Sequence, residues 1–178
     1  QYMIQGRESI SNSGTAKKVR ISTDRHDGDL AAFSVPKLDP QAYLTASFKV
    51  ASAAPYLPGS VNLYRDGIYL GQGALPLLNE GQEVKLGFGA DDLVEVEGRE
   101  VRRQTGEEGI ISSSSVQVQA WDISIRNLHD FSIPVTVLDQ MPFSANENVV
   151  VEPMPLMTEP TQKDYEKRRG AFAWKLAM

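Results

Sequence analysis

The chain has 178 residues, 41% hydrophobic and 23% charged, with no cysteine and a formal net charge of −5. At this length folding buries about 70% of the unfolded surface, so one large domain or two small ones hold together without disulfide or metal. Disulfides, thiolate metal sites and cysteine nucleophiles are excluded. Basic residues interspersed with acids argue against a nucleic-acid groove, and no apolar run reaches the ~18–20 residues of a membrane-crossing helix.

Taken in order, residues 2–11 read as a strand interrupted at Gly6, and Asn12-Ser13-Gly14 as a turn. Residues 17–22 resume with Val19 and Ile21 in alternation, the period that puts one row of side chains on a core and the other in water. Asp24-Arg25-His26-Asp27-Gly28-Asp29 is a polar turn, residues 30–35 a short strand stopped by Pro36, and residues 43–50 a further alternating strand. Pro58-Gly59 then breaks the chain. Asp66-Gly67, set between residues 61–65 and 68–70, predicts a tight hairpin, because a type I′ turn needs positive φ at both central positions. Another turn at Asn79-Glu80-Gly81 precedes a strand over 83–88.

Asp91-Asp92 opens a charged ribbon over residues 93–127. Its inward parity slips across Gly98 on the outgoing strand and near Ala120 on the return, which predicts two β-bulges. Trp121, Ile123 and Ile125 alternate before a polar turn of Asn127, His129 and Asp130, and Ile133, Val135 and Val137 alternate after it. Residues 149–151 are expected as a short strand and 161–169 as one helical turn. A last strand carries Phe172, Trp174 and Leu176 on one face, with both tryptophans assigned to cores. The chain therefore reads as all-β, an antiparallel β-sandwich built as two immunoglobulin-like lobes, residues 1–90 and 91–178, with a long projecting hairpin. Gln1 at the start and an apolar strand stopping at Met178 lead to the expectation of a piece from a longer protein.

No segment carries an evident chemistry. Asp24, Asp27 and Asp29 offer oxygens to Ca²⁺ as weak metal candidates, but the spacing lacks an EF-hand loop and a plain turn accounts for them. His129, Asp130 and Ser144 supply triad residue types without a nucleophile elbow, and the two histidines are too isolated for zinc. The acids of the ribbon read as a solvated strand face that discourages aggregation. Tyr56, Tyr64 and Tyr69 are the aromatics that a saccharide platform would use, although cross-strand pairing alone explains Tyr64 and Tyr69. Glycine spacing matches neither a phosphate loop nor a dinucleotide fingerprint, so no cofactor is expected.

Several motifs in order resemble a known family. They are Leu57-Pro58-Gly59-Ser60-Val61 leading into Tyr64-Arg65-Asp66-Gly67-Ile68-Tyr69-Leu70-Gly71, then Gly87-Phe88-Gly89-Ala90-Asp91. Further on stand Arg126-Asn127-Leu128-His129-Asp130, Asp139-Gln140-Met141-Pro142-Phe143-Ser144, and Arg168-Arg169-Gly170 with Trp174; Gln5-Gly6-Arg7 fits the opening. Together they resemble the C-terminal domain of unknown function of the mucoidy-inhibitor A proteins. That resemblance implies a link to mucoid, polysaccharide-rich colonies, a bacterial envelope or exported location, and no catalytic set.

The resulting expectation is a non-enzymatic module that contacts a protein partner or a second copy through strand edges and the ribbon. The rival is a protein that binds or cleaves polysaccharide.

Overall fold

The structure, a computed structural model, describes residues 9, 12, 14, 16, 18–108, 114–155 and 157–178. Apart from Ser9, the strand expected over 2–11 lies outside them. Among these residues nine strands follow in order: β1 (Gly28–Val35), β2 (Asp39–Lys49), β3 (Gly59–Arg65), β4 (Ile68–Leu75), β5 (Glu83–Glu108), β6 (Ser114–Asn127), β7 (Pro134–Gln140), β8 (Gln162–Lys163) and β9 (Ala171–Ala177). A 3-10 turn at Tyr165–Lys167 fills the place of the expected helical turn. No helix among the described residues is long and apolar enough to cross a membrane.

The chain is all-β. Its described strands form a seven-stranded sheet in the order β6-β5-β2-β1-β7-β9-β8 and a separate ribbon of β3 and β4. The expected purely antiparallel pairing is corrected at one place, because β7 runs parallel to β1, with Ala32 opposite Val135 and Ser34 opposite Val137. β6 and β7, read as neighbours across a polar turn, are therefore separated by three strands. β6 takes β5 as its partner, and the chain then crosses the sheet to reach β1, as a parallel pair requires.

Two compact units emerge, one of residues up to 29 with 46–88, the other of residues 30–45 with 89–178. In the first, Val50, Leu78 and Val84 form a small core flanked by Phe48, Tyr56, Leu75 and Leu86. In the second, Ala32, Leu44, Val94, Val96, Ile133, Val135, Val137 and Phe172 are buried. The buried hydroxyls there are satisfied: Ser34 donates to Gln41 O at 2.7 Å and Thr45 to Ala31 O at 3.1 Å, as burial of a polar group demands.

Two predicted strands do not form. Residues 18–27 have no regular structure and Ile21 is half exposed. Residues 149–151 likewise form no strand, with Val150 76% exposed. In both, residues suited to a strand lack a surface to bury against, and packing is most of what β-propensity measures.

The Asp66-Gly67 turn forms as expected, with φ of 52° and 81°. The ribbon is also present: β5 pairs antiparallel with β6 from Val94–Asn127 out to Glu108–Ser114. Its irregularity differs from the expected pair of bulges. Register is regular through Gly98 and shifts once, between Glu100 and Arg102, opposite Trp121 and Ala120, so that Val101 is the extra residue. Gly98 has another reason to be glycine, since a Cβ there would lie 3.3 Å from Pro36 Cβ. Both tryptophans are half-buried rather than in cores. Lys37 stands over the Trp121 ring at 5.7 Å, and Trp174 Nε1 donates to Thr158 O, the boundary placement an indole N–H favours.

Candidate functional site

In the second unit, the turn after β6 builds a buried polar pair. Asn127 organises it by accepting from the His129 amide at 3.0 Å and donating from Nδ2 to Phe131 O (2.9 Å) and Met178 O (3.2 Å). The ladder continues one residue beyond β6 through Leu128 N to Leu93 O. This folding brings the His129 ring against Phe131, centroids 4.6 Å apart, and sets Nε2 2.8 Å from Asp91 Oδ2. The Asp91 side chain is fully buried and that of His129 9% exposed. A carboxylate orienting an imidazole is two-thirds of a hydrolytic triad. The third type, Ser144, is engaged in its own turn, donating to Asn146 O and accepting from Asn146 N. Asp130 is exposed. Sequence reasoning placed Asp91 on the outer face of the ribbon and so missed this pair; alternation from Val94 and Val96 carries the wrong parity back to residue 91.

In the first unit, Tyr56 donates its phenol proton to Asp24 Oδ2 at 2.9 Å, and Ser22 donates to the same oxygen. With that proton committed, His26 Nε2 is the donor in its 2.8 Å bond to the Tyr56 oxygen. The His26 ring stacks on Phe48 at 4.8 Å, and its Nδ1 is buried without a hydrogen-bond partner. Burial, then the Asp24 hydrogen bond and its charge, push the Tyr56 phenol up to about 12. Asp27 and Asp29 line an open depression of about 410 Å³ with Arg25, His26, Lys49 and Glu83. Both signs of charge face it, so it presents no uniform field to an ion. Among the described residues no three His, Asp or Glu side chains stand close enough to hold a metal.

The β3–β4 ribbon carries the third cluster. Tyr64 and Tyr69 are directly opposed across the strands, ring centroids 5.4 Å apart, and each is more than half exposed. The next pair on that face, Asn62 and Gln72, joins its amides at 3.2 Å and is exposed as well. Leu70 is the extra residue between the Tyr64–Tyr69 and Leu63–Gly71 pairs. The structure thus separates the predicted aromatics: Tyr64 and Tyr69 share an open face, while the Tyr56 phenol is held by Asp24 and His26.

These features define an all-β domain with a buried Asp–His pair, a long two-stranded ribbon and an exposed aromatic face. The chain belongs to the family described as a domain of unknown function (DUF4139), which matches residues 1–178. It is similar to Protein F37C4.5 of Caenorhabditis elegans, 24% identical over 151 residues. The match covers 85% of this chain and 27% of that relative, so the chain spans about a quarter of its length. No solved structure matches.

Proposed function

We propose that this chain is a non-enzymatic interaction module of an exported, bacterial cell-envelope protein that binds protein partners through its strand edges and the β5–β6 ribbon. One observation carries the reading. From Val101 to Gly106 every β5 residue is exposed, and β6 ends the order of the large sheet among the described strands, so backbone donors and acceptors are presented to a partner. The non-enzymatic part is supported by the near-complete burial of His129 and by the local engagement of Ser144. The envelope placement and the link to mucoid colonies are supported by the motif resemblance to the mucoidy-inhibitor A proteins.

Register supplies the test. Replacing residues 103–119 by Asn-Gly joins the paired residues Arg102 and Ala120 and keeps the bulge. Far-ultraviolet circular dichroism stays unchanged, while crosslinks from the full-length protein to its partners in the cell are lost. Recovery of the same crosslinks refutes the reading. Recovery of the full-length protein in the cytosolic fraction refutes the envelope placement.

A second reading, polysaccharide binding, is favoured by the Tyr64–Tyr69 face. Two exposed rings beside an amide pair suit the apolar and hydroxyl faces of a sugar. Cleavage would require two facing carboxylates, whereas Asp91 is held by His129 and Asp24 by Tyr56. Calorimetric titration with soluble exopolysaccharide tests it: the double change Tyr64→Ala and Tyr69→Ala weakens binding at least about tenfold, and no heat from the unmodified chain refutes it.

A further inference from the structure

The outer edge of β6 is complementary to itself. Along its exposed face stand Asp122, Ser124 and Arg126, each two residues from the next. Across β5, Asp122 lies 3.8 Å from Arg99 and Arg126 lies 3.4 Å from Glu95. Both ion pairs are open to solvent on their outer side, with Asp122 68% and Arg126 74% exposed. The opposite face of the same segment carries half-buried Ile123 and Ile125.

We propose that a second copy of this chain adds to β6 in antiparallel register about a two-fold axis at Ser124, so that Asp122 of each copy meets Arg126 of the other. The proposal rests on the interaction-module reading and adds a second copy at the base of the β6 edge, residues 122–126, which the 103–119 replacement leaves in place. Opposed residues in a sheet must share a face, so only registers centred on a residue of one strand are admissible. With the axis at Ser124, one row across the four strands reads Glu95, Arg126, Asp122, Arg99, alternating in sign throughout. The central row sets Ser124 against itself, and the other face sets Ile123 against Ile125. Moving the axis to Ile123 or Ile125 sets Ser124 against Asp122 or Arg126, and the charge match is lost. Moving it to Asp122 or Arg126 opposes like charges. Backbone hydrogen bonds hold such a pair, and the charges select its register, since exposed ion pairs contribute little affinity but discriminate strongly against mismatches.

Complementation tests it. In sedimentation equilibrium the chain is a dimer, and Asp122→Lys or Arg126→Glu alone raises the dimer dissociation constant at least about tenfold through two like-charge contacts. An equimolar mixture of the two variants restores the dimer, because each lysine then faces a glutamate and the remaining arginine faces the remaining aspartate. The chain has no cysteine, so Ser124→Cys forms a disulfide-linked dimer on mild oxidation while Gln117→Cys, also at an exposed position of β6, does not. Failure of the mixture to re-form the dimer, or crosslinking at residue 117 as readily as at 124, overturns the register. A chain that is monomeric while the 103–119 replacement still loses its partners overturns the two-fold pairing and leaves the interaction-module reading standing.

Discussion

Replacing Gly170 by alanine isolates a close approach that holds the end of the β7–β9 pair. Gly170 has φ of 76°, and a Cβ built there lies 2.6 Å from Met141 O, the residue whose amide donates to Gly170 O at 2.9 Å. Two costs add. Left-handed backbone costs an alanine about 1 kcal/mol, and overlap with a backbone oxygen that cannot rotate aside costs about 2 kcal/mol more as overpacking. The sum, about 3 kcal/mol, moves a urea midpoint down by about 1.5 M at a slope of about 2 kcal/mol per M. Gly89→Ala is the internal control: its φ is 80° with nothing within 4 Å of the added carbon, and it lies in the same compact unit. That change loses only the backbone share, about 1 kcal/mol. Equal midpoints for the two variants would refute the assignment of the extra cost to Met141.

Other outcomes follow from the two polar clusters and the ribbon. His129→Ala leaves the buried Asp91 carboxylate without its imidazole and destabilises the chain by about 3 kcal/mol; chemical denaturation reads this, and a loss under about 0.5 kcal/mol contradicts the buried pair. The Tyr56 phenol, raised from 10.0 to about 12, is neutral in the fold, so its stabilisation is whole below pH 10 and is lost as pH climbs from 10 toward 12. Absorbance titration at the phenolate band shows a late-ionising tyrosine that Tyr56→Phe removes, and an unchanged titration curve counts against the Asp24 contact. Hydrogen exchange is expected to be at least about 100-fold faster for amides 102–106 than for 94–98, because Val94 and Val96 are buried and residues 101–106 exposed; uniform protection along β5 contradicts this.

Features written in consecutive residues were legible. The Asp66-Gly67 turn needs only its two central conformations, and the ribbon needs only two runs of alternation with a polar tip. Legibility ended where partners are distant in sequence. Nothing in residues 135–137 announces that they pair with 32–34 and run parallel to them, because their one-sided alternation is the pattern usual for antiparallel pairing. Asp91 and His129 lie 38 residues apart, and each alone reads as a surface or turn residue. Gly98 was readable as special but not as to why, since the proline it admits, Pro36, lies in the turn between β1 and β2, more than sixty residues earlier. Alternation at Val19 and Ile21 misled for the opposite reason: the pattern was present and the surface to bury it was not.

The two ends of the large sheet are treated differently, and this decides how any edge-on assembly grows. At one end β8 is only Gln162–Lys163 and is followed closely by a 3-10 turn, an edge too short to template another strand. At the other, β6 runs for 14 residues and is defended by charge instead of by brevity. Charge protects an edge against indiscriminate pairing, but a pattern of opposite signs two residues either side of a serine also admits one register with itself. An isologous pair uses up the β6 edge of both copies, and the far edges are blunt, so addition stops at two copies rather than continuing into a filament. An edge with uniform charge would have been safer against association. The alternation that the proposed pairing sets across Glu95, Arg126, Asp122 and Arg99 is what a closed dimer requires and what simple protection does not.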